Sequence, residues 1–389
     1  MWCKYILIII TVLVLMVVLI DFIPQFYTWQ SRIHIGRYTN KEDWKKKISA
    51  ITSHWLLKTP TIKLTDNTRL LIIDILRGNY SRNAIQHWQQ ASLLLGLIEQ
   101  YKSEKKETTK VIITAFLDSK MKADGNWKEA PTEIDGVILA YAVISIPWLE
   151  HTKYKPAFDA IYTLVLNLKG EDGTIAYKKH NVDYRFVDTV GFICPFLVHY
   201  GLHYNQPEAV ELAVKQIKTF DEYGMLSNSS IPCHTYNIKN KLPVGLFGWG
   251  RGLGWYAIGL IDSWTALPET HQLKKELSES VIQFAKMAAS FQNENGSYNW
   301  LILDKLARQD SSATATLAWF FSNAKSLNEI QTISQKASEK ALDYLKSVTR
   351  RDGVVDFSQG DTKAIGIYAR DFDRLPFTQG FVLRTLHKI

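Results

Sequence analysis

A turn that recurs along the chain constrains the fold more than any other feature of this sequence. "ADGNWKEA" at Ala123, "EDGTIAYKK" at Glu171, "ENGSYNW" at Glu294 and "RDGVVDFSQG" at Arg351 each set a glycine behind Asp or Asn, ahead of a short extended segment. "EYGMLSNSS" at Glu222 is a weaker copy. Asx-Gly pairs favour tight turns, because the side chain bonds nearby backbone and the glycine accepts positive φ. Neighbouring copies lie on the order of fifty residues apart, with one longer gap, which is a spacing of helix-pair or blade-like repeats.

Between the turns the apolar residues recur at three- and four-residue intervals, the period of an amphipathic helix. The pattern predicts helices in "AIQHWQQASLLLGLIEQYK" from Ala84, "EIDGVILAYAVISIPWLE" from Glu133 and "AFDAIYTLVLNLK" from Ala157. It continues in "EAVELAVKQIKTF" from Glu208, "ELSESVIQFAKMAASFQ" from Glu276, "SATATLAWFFSNA" from Ser312 and "ISQKASEKALDYLKSV" from Ile333. Strand alternation is nearly absent outside the segments after the turns. Helix pairs repeated about six times describe an all-α, (α/α)6 toroid, whose inner helices surround a cavity and whose loops at one end form a cleft. Nothing in the body reads as a linker, so residues 31–389 are expected to form one domain.

The N-terminus stands apart. "MWCKYILIIITVLVLMVVLIDFIP" holds an uncharged apolar run from Tyr5 to Ile20, prolonged past one aspartate by Phe22, Ile23 and Pro24. A spanning helix needs about 17–25 mainly apolar residues. No small-residue cleavage site follows, and Tyr27 and Trp29 suit an interfacial belt. Residues 1–30 are therefore read as an uncleaved single-pass anchor, with the body on the extracytoplasmic side. Lys4 is the only charge ahead of the run, so charge gives the orientation little support.

Composition excludes several classes. The net charge is +8, but the basic residues are dispersed, and no basic helix, zinc-finger spacing or RNP-like motif supports nucleic-acid binding. "DWKKKIS" at Asp43 and "KSEKKETTK" at Lys102 read as solvated helix faces or loop charge. Of three cysteines only Cys194 and Cys233 lie in the body, which is neither a disulfide framework nor a CxxC metal site. His199 and His203 have a zinc-compatible spacing, but Gly201 lies between them and no third ligand is near, so no metal is expected.

The segment "GWGRGLGWYAIGLIDSW", Gly248 to Trp264, sets glycines around Arg251, Trp249 and Trp255 at a helix entrance. It lacks the G-x-G-x-x-G spacing and βαβ setting of a dinucleotide site. Free N–H groups, the positive dipole end and a planar guanidinium suit a carboxylate, and the indoles offer stacking faces for a sugar ring. A glycine-mediated helix contact beside a surface arginine explains the same residues equally well. Asp135 and Asp188 stand at similar places in successive repeats, each at a helix start. Helix capping is the ordinary role of such a residue. Two of them facing one apolar cavity would instead split their titrations and hold one carboxyl protonated as an acid. His234, in "IPCHTYNIKN", lies between helices close to the arginine segment.

"FGWGRGLGWYAIGLIDSWTALP" resembles the W-x-R-G-x-G-W-Y-x-x-x-L-x-D signature of the unsaturated glucuronyl and rhamnogalacturonyl hydrolases, glycoside hydrolase families 88 and 105. "CHTYN", "RFVDTVGFICPFL", "DSSATATLAWFF" and "LPFTQGFVLRTL" extend the likeness from about Tyr38 to Ile389. The resemblance implies an (α/α)6 barrel that removes a 4,5-unsaturated uronic acid from the non-reducing end of acidic oligosaccharides, without metal or organic cofactor. It implies Asp188 as the acid and base that hydrates the C4=C5 bond, and Asp135 as its partner carboxylate. His234, Trp249, Arg251 and Trp255 would line the sugar subsite. Two positions depart from the family pattern: Phe186 replaces a tryptophan, and Ile134 replaces a histidine or asparagine. An inverting hydrolase of a saturated acidic polysaccharide, and an inactive glycan-binding protein of envelope assembly, are the alternatives.

Overall fold

In the computed structural model, which describes residues 2–62, 71–76, 87–362 and 364–389, a helical ring follows one long N-terminal helix. That helix, α1, covers Trp2–Arg32. The body then runs through α2 (Lys41–Leu57), α3 (Leu71–Leu76), α4 (His87–Glu104), α5 (Glu107–Lys120) and α6 (Val137–Ile144). It continues with α7 (His151–Leu166), α8 (Val187–Tyr204), α9 (Pro207–Tyr223), α10 (Gly250–Ala266) and α11 (Gln272–Ser290). α12 (Ser311–Ala324), α13 (Gln331–Ser347) and α14 (Pro376–Leu386) complete it.

Helices α4, α6, α8, α10, α12 and α14 each pack on the next, and α14 returns to α4 to close the ring. Outside them, α2, α5, α7, α9, α11 and α13 lie against neighbouring inner helices. This is the (α/α)6 toroid that the helix-pair repeat predicts. Burial follows position. Inner α10 is buried without interruption from Gly250 to Trp264, and α12 throughout its length. Outer α9, α11 and α13 bury one face and keep polar residues on the other, as surface helices do.

The repeated turns share one geometry. The glycine N–H of Gly125, Gly173, Gly296 and Gly353 donates to the carbonyl three residues back, and all four have positive φ. Bridges Met121–Trp127, Lys169–Ile175 and Thr349–Val355 close three of these loops, and Met225–Pro232 closes the weaker copy.

Several element boundaries differ from the sequence reading. The helix expected from Ala84 is described from His87, since Ala84–Gln86 lie outside the described residues, and the next expected helix is the one from Glu133. That helix ends at Ile144, because Pro147 disfavours helical geometry in the residue before it. α7 starts at His151, six residues ahead of the expected Ala157, and carries Pro156 inside it. The two lysine-rich stretches fall in α2 and across the junction of α4 and α5.

Strands occur beyond the short segments expected after the turns. β1 (Tyr184–Phe186), β2 (Cys233–Asn237) and β3 (Pro243–Phe247) form an antiparallel sheet in that order. β4 (Ser358–Gln359) pairs with β5 (Phe372–Asp373). They lie in the connections entering α8, α10 and α14, at one end of the inner helices. At two to five residues they are too short to show a period of two.

Candidate active site

The sheet brings the first two candidates together. Phe186 pairs with Thr235, so Asp188, the second residue of α8, lies beside His234. The register between β2 and β3 shifts between Cys233 and Thr235, and such a bulge re-aims the side chain within it, here His234. β1 is itself pinned by a repeat turn: Asp172 accepts from Arg185 Nε at 3.2 Å and Nη2 at 2.5 Å, and that arginine is fully buried.

Asp188 is not a helix cap. Phe186 occupies the N-cap, and Asp188 Oδ2 is buried with no hydrogen-bond partner. His234 Nε2 approaches that oxygen to 3.6 Å. Burial, the opposing pull of its own backbone N–H and of Arg251, and repulsion from Asp361 leave the Asp188 carboxyl raised to about 7. Burial and the Arg251 charge push His234 down to about 4. The contact has the length of an ion pair, but a neutral imidazole and a carboxyl make it, because both groups lose solvation.

The imidazole's orientation follows from its other nitrogen. Leu246 N–H donates to the Tyr368 hydroxyl oxygen at 3.2 Å, and that hydroxyl lies 3.1 Å from His234 Nδ1. The Tyr368 O–H is not used by the Leu246 contact and has Nδ1 within reach; donated there, it fixes the proton of the neutral ring on Nε2, facing Asp188.

Asp135 sits in a 3-10 turn, Ile134–Gly136, just before α6. Burial raises its carboxyl to about 6; Lys178 opposes this, and Glu133 and Asp361 add to it. Tyr177 feels Asp135, Asp188, Asp361 and Glu133 together and is pushed well up by burial and by these charges. A half-buried tyrosine thus marks where the candidate carboxyls gather.

The glycine-rich segment makes the close helix contact, but its arginine is buried and not at the surface. An added Cβ at Gly254 would stand 2.4 Å from Thr316 Oγ1 of α12, and one at Gly259 would stand 2.4 Å from the Val190 carbonyl of α8. The glycines let α10 press against two neighbours. At the helix entrance, Gly250 N–H donates to the Trp300 carbonyl at 2.7 Å. Arg251 is buried, with Nη1 donating to Gln359 O and Nη2 to Gly360 O, each at 2.6 Å, and with Thr362 Oγ1 at 3.2 Å. Its fork therefore holds the loop after β4, and towards the cavity it offers charge. Trp249 Nε1 donates to Gln359 Oε1 at 2.9 Å, and its ring packs on His234 and Tyr368. Trp255 is enclosed by Trp88, Phe192 and Phe377. Both indoles are buried, whereas Tyr177, Trp300 and Tyr368 keep partly open rings. The two departures also have places: Ile134 is in the core, and Phe186 packs between Tyr177 and His234.

Sequence reasoning missed Tyr177, Asp361 and Tyr368. For Asp361 and Tyr368 the available signal was the length of the connection between α13 and α14, which runs from Val348 to Leu375 with little secondary structure. Connections that long in compact domains are commonly functional. His199 and His203 lie near the opposite end of α8 from Asp188, where His203 stacks on His151 at 3.7 Å between ring centroids.

A closed six-pair toroid with buried, raised carboxyls at one end of its inner helices is the framework of an (α/α)6 glycosidase. The sequence model of Glycosyl Hydrolase Family 88 matches residues 67–383, and the chain belongs to that family. Solved structures agree in fold. A possible member of the GH105 family from Salmonella enterica serovar Paratyphi A superposes with a TM-score of 0.75 at 18% identity, covering 90% of this chain and 95% of that one. The unsaturated glucuronyl hydrolase of Bacillus sp. GL1, described as responsible for the degradation of glycosaminoglycan, gives 0.63 at 17% identity, with 88% and 96% covered. An unsaturated glucuronyl hydrolase specific for heparin gives 0.62 at 16%, with 89% and 97% covered.

Proposed function

We propose that this glycosidase removes a 4,5-unsaturated uronic acid from the non-reducing end of acidic oligosaccharides. The observation that carries the reading is Asp188: a buried carboxyl raised to about 7, with an unpartnered oxygen. Such a group is protonated in a substantial fraction near neutrality and has no competing acceptor, as a general acid requires. Its proton goes to C4 of the enol ether as water adds to C5, and the water's proton returns to Asp188. The C5 hemiketal opens to a ketone, and the former C1 acetal then releases the leaving sugar as an alcohol and becomes an aldehyde. One water is consumed and the enzyme is unchanged.

Asp135 is the partner carboxylate, holding negative charge beside the oxocarbenium-like centre. His234 directs its Nε2 proton at the acid, and Arg251 gives the positive field that draws the uronate in. Trp249 flanks His234, and Trp255 backs the subsite from the core. The apolar helix α1, with mean hydropathy 3.3 over its most apolar window and no burial there, is the single-pass anchor in this reading. The body then lies outside the cytoplasm, where polysaccharide fragments arise.

The test is loss of the conjugated double bond's ultraviolet absorbance when the detergent-solubilised chain meets lyase-generated unsaturated disaccharides. Decay that Asp188→Asn abolishes supports the reading. A folded chain that leaves glucuronyl and galacturonyl substrates intact, yet cleaves saturated acidic glycans, overturns it in favour of ordinary inverting hydrolysis.

A further inference from the structure

The end of α1 is fastened to the same loops that cover the candidate site. Arg32 meets Asp356 through Nε at 2.5 Å and Nη2 at 2.8 Å, Ser31 O accepts from Arg351 N at 3.0 Å, and the Arg32 guanidinium lies over Phe357. Asp356 leads directly into β4, and the β4–β5 connection carries Asp361 and Tyr368. On α1 itself, Phe26, Tyr27 and Trp29 are exposed just ahead of this joint. Aromatic residues at that place settle at the headgroup level, and one helical turn, about 5 Å, separates Trp29 from Arg32. If α1 spans, the base of the loop over the site is held at the membrane surface.

The rim of the site is apolar, and among the described residues its side chains stay exposed. Leu306 is 95% exposed, Leu242 58% and Ile367 56%, and Leu303 and Leu246 are also exposed. They belong to three loops that meet at Tyr368. Leu246 N–H bonds its hydroxyl, Trp300 packs on its ring at 5.8 Å, and Ile367 precedes it in the chain. Leu306 is held outward: Asp304 Oδ1 accepts its N–H at 2.9 Å, fixing the turn. Lys305 and Arg308 flank it, and Lys241 precedes Leu242. A lysine directly ahead of an exposed leucine, as at Leu242 and Leu306, suits an anionic bilayer surface.

We infer that the mouth of the site docks on the bilayer, with the β2–β3 turn, the 301–308 loop and the β4–β5 connection seated among the headgroups. The inference rests on the anchor reading of α1 and not on the chemistry assigned to Asp188. It makes glycan chains held at the membrane surface the substrate class, since their ends arrive where the cleft opens.

The test uses the full chain carrying Cys3→Ser, reconstituted in phosphatidylglycerol-containing vesicles. An environment-sensitive dye is placed at Leu306→Cys or, for comparison, at Lys388→Cys beyond α14, which leaves the buried Cys194 and Cys233 unlabelled. Docking predicts blue-shifted emission and at least threefold stronger quenching by headgroup-level lipid quenchers at 306 than at 388. It also predicts that Leu242→Asp in the same chain reduces that quenching while hydrolysis of soluble disaccharide is unchanged. Equal, weak quenching at both sites in a chain that resists alkaline extraction overturns docking and leaves the anchor standing. A chain released by alkali overturns the anchor, and docking with it, whatever the hydrolase assay reports.

Discussion

His234 faces Asp188 across 3.6 Å with its far nitrogen already engaged by Tyr368. The pair comes from the strand pairing that sets Phe186 opposite Thr235, so a short sheet within a helical toroid positions the proposed chemistry. Its two members titrate in opposite directions for one shared reason. Burial favours the neutral form of each, raising the acid and lowering the base.

The pH profile should follow from those shifts. As a general acid, Asp188 works protonated, so activity falls as pH rises through about 7. Asp135 works as a carboxylate, so activity also falls as pH drops through about 6. A bell with its maximum between the two limbs is expected in kcat/KM, which reports the groups of the free enzyme. His234 stays neutral until pH about 4 and adds no limb inside that window. Initial rates on an unsaturated disaccharide across the range check this, and a flat profile from 5 to 9 would contradict it.

Replacing Tyr368 by phenylalanine should leave the fold intact and loosen the imidazole. The hydroxyl accepts from Leu246 N–H and lies within hydrogen-bond reach of His234 Nδ1, and a net hydrogen bond of this kind contributes about 0.5–1.5 kcal/mol. Without it the Nδ1–H tautomer becomes accessible and Nε2 turns a lone pair toward Asp188. A drop in kcat of about tenfold is expected with KM within twofold. Nitrogen NMR of the His234 ring should report mixed tautomers. A parent-like ring spectrum in the variant would show that Tyr368 does not set the tautomer.

The toroid was legible because its signal is redundant: five turns and seven helical stretches carry the same period, and inner helices such as α12 are buried throughout. The site was half legible. Asp135, Asp188 and His234 stand in contrasting local sequence, but the two titrations are not driven apart as a facing pair would drive them: burial raises both carboxyls. Arg251 was placed correctly at a helix entrance, but its partners, the carbonyls of Gln359 and Gly360, lie more than a hundred residues away and leave no local trace. Tyr177 and Tyr368 were missed for the same reason. Each is an unremarkable tyrosine until the ring closes and sets it against residues from other repeats.

Asp356 should be a stability residue with an acid-sensitive signature. Burial pushes its carboxyl up, but hydrogen bonds and charge from Arg32 and Arg350 outweigh this and hold it below the ordinary value. A depressed folded pKa stabilises above the unfolded value, near 4, and that contribution is lost as pH falls through the folded one. Asp356→Ala leaves the buried Arg350 without its main partner, and breaking such a pair costs about 3–5 kcal/mol. The Tm gap between parent and variant, measured by calorimetry in detergent, should be widest near neutrality and close toward pH 3. A gap that persists unchanged in acid would assign the loss to packing instead.

Gly259→Ala tests whether the contact between α8 and α10 governs both folding and site geometry. Its new methyl would meet the Val190 carbonyl at 2.4 Å, and backbone on both helices leaves only separation as relief. Overpacking of this kind costs about 1–3 kcal/mol. The displaced helices carry Asp188 on one side and Trp249 and Arg251 on the other, so kcat should fall together with stability. Gly366→Ala is the control. It has positive φ but no atom within 4 Å of the added carbon, so it pays backbone strain of about 1–2 kcal/mol and creates no clash. Equal stability losses with kcat reduced only in the α10 variant would place the effect in the helix contact. Reduced kcat in both would be assigned to general loosening only if the His234 ring spectrum of Gly366→Ala stays parent-like, since Gly366 lies two residues before Tyr368.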